Sequence, residues 1–230
     1  MEKIKTKIYI EQNARGPNKF SNWVIFPNII EKGRILMSSY PYRIHLSKNE
    51  QKKYPRKTDF YKQVKSFPSG VTYICLQEKS ELAQLQLPIY YSKKQLEKVQ
   101  KITQVKYIKY NNDLEIRDID INTDDLVFSF TEKLLDSFMK GENFVIHCLG
   151  GHGRTGTIAG LLMGMILAKK GICLRATELL DLIGHCHLQR VQLNGWFHCP
   201  QTKDQCLQVQ RLYYKYLTLL GLTLHRENLL

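Results

Sequence analysis

Long hydrophobic runs are missing from this 230-residue chain. The longest apolar stretch, Ile158–Ala168, spans eleven residues and includes two glycines. A membrane span needs roughly 20 apolar residues, so this stretch predicts a buried helix. Glycine (14) and proline (7) are too few for a collagen-like or low-complexity chain. The six cysteines (Cys75, Cys148, Cys173, Cys186, Cys199, Cys206) show no regular spacing. Met1–Ile10 alternates Lys with Ile around no apolar centre, so no secretory leader is expected. Together these exclude a disulfide scaffold and predict free thiols in an intracellular setting, cytoplasmic or nuclear.

Acidic residues are scarce in one half. Lys+Arg number 34 against 21 Asp+Glu, a net +13. Met1–Tyr110 holds 22 basic and 8 acidic residues, whereas Asn111–Leu230 holds 12 and 13, so the surplus sits in the first half. Such a half attracts anionic partners over distance. Its densest cluster, Lys48–Lys57 (KNEQKKYPRK), is interrupted by Glu50 and Pro55 and carries no base-stacking aromatic pattern. A nucleic-acid partner is therefore not favoured, and an acidic or phosphorylated protein is expected. Oligomeric state is not legible.

The chain contains no internal repeat. Val24–Met37 holds short β-rich pieces broken by Pro27 and Gly33, and Thr58–Phe67 reads as a helix stopped by Pro68-Ser69-Gly70. Val71–Leu76 (VTYICL) has the composition of a buried strand. A helix is expected over Lys93–Ile102 and a strand over Leu114–Ile119. Thr123 or Asp124 should cap a helix whose buried face is Leu126, Val127, Phe130, Leu134 and Phe138, ended by Gly141. Phe144–Ile146 reads as a short buried strand running into His147 and Cys148. Helices follow over Arg154–Lys169, Arg175–Leu188 and Thr202–Leu220. Alternating strands and helices with short loops argue a single α/β domain. Its expected form is a central, mostly parallel sheet flanked by helices, with a phosphate-binding loop between a strand and a helix. We place that domain at 21–222, with a basic N-terminal extension over 1–20 and a tail over 223–230.

His147–Thr155 reads HCLGGHGRT. A cysteine ends a buried strand, an arginine follows six positions later, three glycines lie between them, and a helix begins. Glycines let successive backbone N–H groups turn inward, and a helix start adds positive potential, so the segment is an anion cradle. The same field favours a thiolate at Cys148. The planar fork of Arg154 matches two phosphate oxygens. A thiolate in a phosphate-shaped loop predicts covalent attack on phosphorus. A buried, inert cysteine would have to explain the strand, glycines, arginine and helix as coincidence.

His-Cys-x-x-Gly-x-x-Arg-Thr resembles the signature of cysteine-dependent protein tyrosine phosphatases, and Gly150, Gly151 and Gly153 fit its phosphate loop. The details are most similar to the dual-specificity branch, near the kinase-associated and cell-cycle-exit phosphatases. The resemblance covers roughly Val71 to Leu217, with Ile35–Pro41 (ILMSSYP) in the place of an early hairpin. It implies Cys148 as nucleophile and Arg154 as phosphate and transition-state clamp. Thr155 would hydrogen-bond the thiolate, and His147 would hold the loop. Phosphoryl oxygens would be bound at Leu149, Gly150, Gly151, His152, Gly153 and Arg154 through backbone amides. Gln201-Thr202-x-x-Gln205 resembles the loop whose glutamine positions the hydrolytic water, with Gln201 catalytic and Gln205 at the substrate. No cofactor and no metal are implied.

The reaction also needs an acid for the departing oxygen. The family carries it on a loop about thirty residues upstream of the cysteine. Asp118 lies thirty residues before Cys148, past Leu114 and Ile116, and Asp120 shares its strand parity. Asp118 is preferred and Asp120 held in reserve. His185-Cys186-His187 with His198-Cys199 and Cys206 lacks the paired spacing of structural zinc sites. Cys75, at the end of a core strand, is read as core, with a protective disulfide to Cys148 as the other reading. The expected activity is hydrolysis of phosphate monoesters on proteins. The rivals are a phosphoinositide or RNA 5′-phosphatase of the same chemistry and a catalytically weak phosphoprotein-binding module.

Overall fold

The computed structural model describes residues 13–27, 31–41, 48–84, 93–116, 124–195 and 197–222. Its centre is a strand too apolar to tolerate solvent on either face, β5 (Phe144–His147), whose four residues are all buried. Parallel neighbours flank it, β2 (Ile35–Ser38) on one side and β3 (Val71–Cys75) on the other. Beyond them lie β1 (Ser21–Trp23), antiparallel to β2, and β4 (Ile108–Asn111), parallel to β3. The order is β1-β2-β5-β3-β4, the mostly parallel sheet expected.

Alternation along the strands divides the core. Ile35, Met37, Ile74, Phe144 and Ile146 face one layer, made by α5 (Asp124–Met139), α6 (Gly153–Lys169), α7 (Ala176–Leu188) and α8 (Lys203–Leu219). Leu36, Val71, Tyr73 and Val145 face the other, with Phe60 and Val64 of α2 (Lys57–Lys65) and Leu96 and Val99 of α4 (Lys93–Thr103). Two short helices remain, α1 (Glu50–Lys53) and α3 (Lys79–Gln84), whose Leu82 packs against the second layer. Helix α6 is apolar on all sides and buried from Gly153 to Ala168, as a central helix must be. At Gly164 a Cβ would come within 2.6 Å of Leu179 and 2.8 Å of Tyr213, so glycine allows α7 and α8 to close on α6. Among the described residues no helix is long and apolar enough to cross a membrane.

Two sequence expectations need correction. No strand forms over Leu114–Ile116; the edge strand is β4, over Ile108–Asn111. Leu114 and Ile116 are apolar because they pack into the layer around α5, and the Ile116 N–H donates to the O of Leu76, just past β3, at 2.9 Å. Leu126 is 56% exposed, whereas Val127, Phe130, Leu134 and Phe138 are buried, so the inward stripe of α5 starts one residue later. Upstream of β1, Ala14 and Phe20 are buried, and Ala14 N–H donates to Gln189 Oε1 at 2.7 Å. Residues 1–12 and 223–230 lie outside the described residues.

Candidate active site

Three parallel strands end together: Ser38 of β2 and Cys75 of β3 are both in register with His147 of β5. Chain leaving the carboxyl edge of such a sheet opens a crevice. Residues 148–153 turn there and enter α6. The turn closes tightly because Gly151 adopts φ +78°, and a Cβ on it would strike the Ser38 carbonyl. Cys148 is 4% exposed, and its Sγ accepts from the Gly151 N–H and the Thr155 Oγ1–H, both at 3.2 Å. Two donors, one from the backbone and one from a side chain, thus converge on one sulfur.

Backbone amides that turn inward send their carbonyls the other way, and buried carbonyls need donors. Arg190, just past α7 and 3% exposed, supplies them. Its Nη1 donates to Gly150 O and its Nη2 to Gly151 O, each at 3.2 Å. Asn22 of β1 anchors the guanidinium from behind, accepting at Oδ1 from Nε (3.2 Å) and Nη2 (2.9 Å). Burial pulls Arg190 down to about 10, with the sulfurs of Cys199 and Cys148 opposing. It therefore stays a cation at neutral pH, held by neutral oxygens directly behind the loop. The next carbonyl, His152 O, accepts from Cys199 Sγ at 3.3 Å and from the Gly156 N–H at 3.0 Å.

Arg154 begins α6 and is 2% exposed. It pairs with Glu81 of α3, Nη1 to Oε2 at 2.6 Å and Nη2 to Oε1 at 3.0 Å, and Nη1 also donates to Ile116 O at 2.9 Å. These bonds fix the plane of the fork beside the loop. His147 is fully buried edge-on to Tyr40 (5.6 Å between ring centres) and Tyr73 (6.4 Å). Burial, with help from Arg154, lowers it to about 3, so its ring is neutral. Burial likewise raises Cys75 to about 11, which keeps that thiol protonated and a poor nucleophile.

The loop floors a cavity of about 680 Å³. Ser39, Tyr40 and Lys53–Pro55 line it together with Gln192, Asn194, Gln201, Thr202 and Gln205. The rim is hydrogen-bonded: Asn194 Nδ2 donates to Lys53 O (3.2 Å), Lys19 Nζ to Lys52 O (2.7 Å), and Gln192 N–H to Lys19 O (2.8 Å). Thr202 caps α8, and Gln205 Oε1 accepts from the Gln201 and Thr202 N–H groups. The Gln205 amide lies over Gly153, 2.8 Å from where a Cβ would stand. Cys148, Leu149, Gly150, His152, Gly153, Arg154, Gln201 and Gln205 thus share one cavity. Gly151, Thr155 and His147 support it from beneath. Asp118 and Asp120 lie outside the described residues.

Glu81, Asn22 and Arg190 were not singled out from the sequence, and His187 only as a member of the histidine-cysteine cluster. Each lies 35 or more residues from the loop residue it touches or the guanidinium it anchors, and no spacing rule links them. Only Asn22 carried a local signal, a polar residue in the largely apolar stretch 20–26; Glu81 and Arg190 sit among polar neighbours. Of the histidine-cysteine cluster, His187 bonds His152 and His185 bonds Gln189. Among the described residues no three His, Cys, Asp or Glu side chains converge as a metal site.

Residues 72–196, just over half the chain, match the family model described as PTP-SAK: Swiss Army Knife protein, DSP-PTPase phosphatase domain. No curated protein matches at the level of sequence. Among solved structures, PTPMT1 in complex with PI(5)P is similar at a TM-score of 0.52 and 11% identity, over 87% of this chain and 99% of that one. Kinase-associated phosphatase, with its catalytic-site cysteine changed to serine, is similar at 0.50 and 13% identity, over 83% and 89%. At such identities the likeness is one of fold.

Proposed function

Because the chain belongs to the dual-specificity phosphatase branch of the cysteine-dependent protein tyrosine phosphatase superfamily, we propose that it hydrolyses phosphate monoesters on proteins through a phosphocysteine at Cys148. One observation carries the reading. A cysteine at the end of a buried parallel strand holds its Sγ under an N–H and an O–H donor, with an arginine six residues on, at the floor of an open cavity.

In the first step the Cys148 sulfur attacks phosphorus; the P–S bond forms and the P–O ester bond breaks. The leaving oxygen takes a proton from Asp118. The loop amides and Arg154 hold the remaining phosphoryl oxygens, where charge shifts in the transition state. In the second step a water placed by Gln201 attacks phosphorus and gives its proton to Asp118. Inorganic phosphate leaves and the thiolate is restored. Gln205 steadies the α8 end of the cavity over Gly153, and Arg190 keeps the amides pointed inward.

A protein substrate is favoured by the charge of the cavity wall. Leu149 is apolar, and burial lowers His152 to about 3, with Arg190 adding to the effect. Neither supplies the fixed cation that a headgroup with several phosphates would need. The basic Lys53 instead stands at the rim, where the acidic flank of a phosphosite would lie. An intracellular setting, which keeps the cysteines reduced, completes the reading.

Cys148→Ser is expected to abolish turnover while still binding phosphopeptide, because the amides and Arg154 remain. Phosphopeptides should exceed soluble phosphoinositides and 5′-phosphorylated RNA in kcat/KM with the same preparation. Hydrolysis surviving in Cys148→Ser would refute the mechanism; phosphoinositide outrunning every phosphopeptide would refute the substrate class alone.

A further inference from the structure

Two imidazoles meet beside the phosphate loop. His152, in the loop, and His187, on the last turn of α7, approach Nδ1 to Nε2 at 2.7 Å, with rings nearly perpendicular at 84°. They are 4% and 0% exposed. One proton lies between the two nitrogens, and its owner decides what His152 presents. His187 Nδ1 is buried and has no hydrogen-bond partner among the described residues. Were His152 to own the shared proton, neutral His187 would carry its own on Nδ1, as a buried N–H with no acceptor. With His187 as owner, Nδ1 keeps only a lone pair. Orphaned buried N–H groups are the rarer and costlier of the two.

His187 therefore donates from Nε2, and His152 accepts at Nδ1. Neutral His152 then carries its proton on Nε2, on the ring edge that lies against Gly150. A further proton on the couple is opposed by burial and by the Arg190 cation past α7. The other titratable groups around the loop are Arg154 at the start of α6, Cys148, and Cys199, whose thiol donates to His152 O. Burial keeps Cys199 protonated by raising it well above the ordinary thiol range.

We infer that His187 is a positioning residue that holds His152 as a neutral Nε2–H donor on the cavity wall, excluding a fixed cation from the space beside the phosphoryl group. The inference rests on the phosphatase reading and narrows it to single phosphate monoesters. A polyphosphorylated headgroup finds no charge there for its further phosphates.

Long-range 15N–1H NMR of the imidazoles in the full chain tests it. His152 should be protonated at Nε2, and neither ring should titrate between about pH 5 and 8, the ordinary histidine window. In His187→Leu, His152 should titrate there. The kcat/KM for a soluble inositol bisphosphate, relative to a phosphopeptide, should then rise roughly tenfold on acidification, the effect of one pKa unit of charge interaction. His187→Gln, whose amide donates to Nδ1, should restore the flat profile. A wild-type spectrum with His152 protonated at Nδ1, or titrating inside the window, overturns the inference even if Cys148→Ser is inert toward an aryl phosphate. Failure of the phosphatase reading would show instead as turnover surviving Cys148→Ser. Should the leucine variant fail to fold, the wild-type spectrum decides.

Discussion

Acidification should unfold this protein well before its carboxylates titrate. His147, His152 and His187 are buried as neutral rings, and burial pulls them to about 3, about 3 and about 2 from an ordinary 6.5. In an unfolded chain each regains its ordinary value. Below about pH 6.5 the unfolded state therefore binds three protons that the folded state refuses. Stability is full above that pH and is lost as pH falls toward 3. One unit below the unfolded pKa, each ring costs about 1.4 kcal/mol. Three rings make about 4 kcal/mol at pH near 5.5, a large share of the 5–15 kcal/mol typical of a whole domain. The lowered carboxylates act in a different window. Asp124, hydrogen-bonded by Arg211, and Glu115, hydrogen-bonded by Lys79, lose their contribution only near and below pH 4. Urea unfolding followed by tryptophan fluorescence at pH about 7.5, 6.5 and 5.5, at constant ionic strength, reads the slope. His187→Leu should flatten it by about two rings' share, its own and that of His152, which then titrates near its ordinary value. Stability that stays level or rises across this range would refute the account of buried neutral rings.

Asp118→Asn should lower kcat by roughly 10²–10⁴-fold, the worth of a positioned acid, and most for poor leaving groups; if Asp120→Asn behaves so and Asp118→Asn does not, the acid is two residues further on. Arg190→Met should cost about 2–5 kcal/mol in urea unfolding, because two buried loop carbonyls lose a charged donor. It should also depress kcat/KM for every substrate alike; wild-type stability and turnover would show that the loop holds its shape without it. Neutralising Lys52, Lys53, Arg56 and Lys57 should raise KM for acidic phosphoproteins while sparing a small aryl phosphate. Added salt should act in the same direction, since exposed charges are screened beyond roughly 8–10 Å. An equal rise in KM for both substrates would place the effect in the cavity and not at its rim.

What was legible from the sequence is what is encoded contiguously. HCLGGHGRT sits between an apolar strand and an apolar helix, and the geometry of strand end, turn and helix start is local. Elements β3, β5, α6, α7 and α8 were legible for the same reason, since period and punctuation are short-range signals. The fold class followed from their alternation. Misreadings came where two causes give the same pattern. Leu114 and Ile116 alternate like a strand but are apolar because they pack beside α5, and Leu126 fits the helical period yet faces out at 56% exposure.

Tertiary structure alone decided which distant groups complete the loop. Arg190 reaches Gly150 and Gly151, Asn22 reaches Arg190 across 168 residues, Glu81 meets Arg154 across 73, and His187 meets His152 across 35. None is demanded by its own neighbourhood in the chain. Each is demanded by a polar group that folding buries: carbonyls turned away from the amides, a guanidinium needing a fixed plane, a ring needing one tautomer. Such demands exist only once the sheet is assembled, because burial creates them.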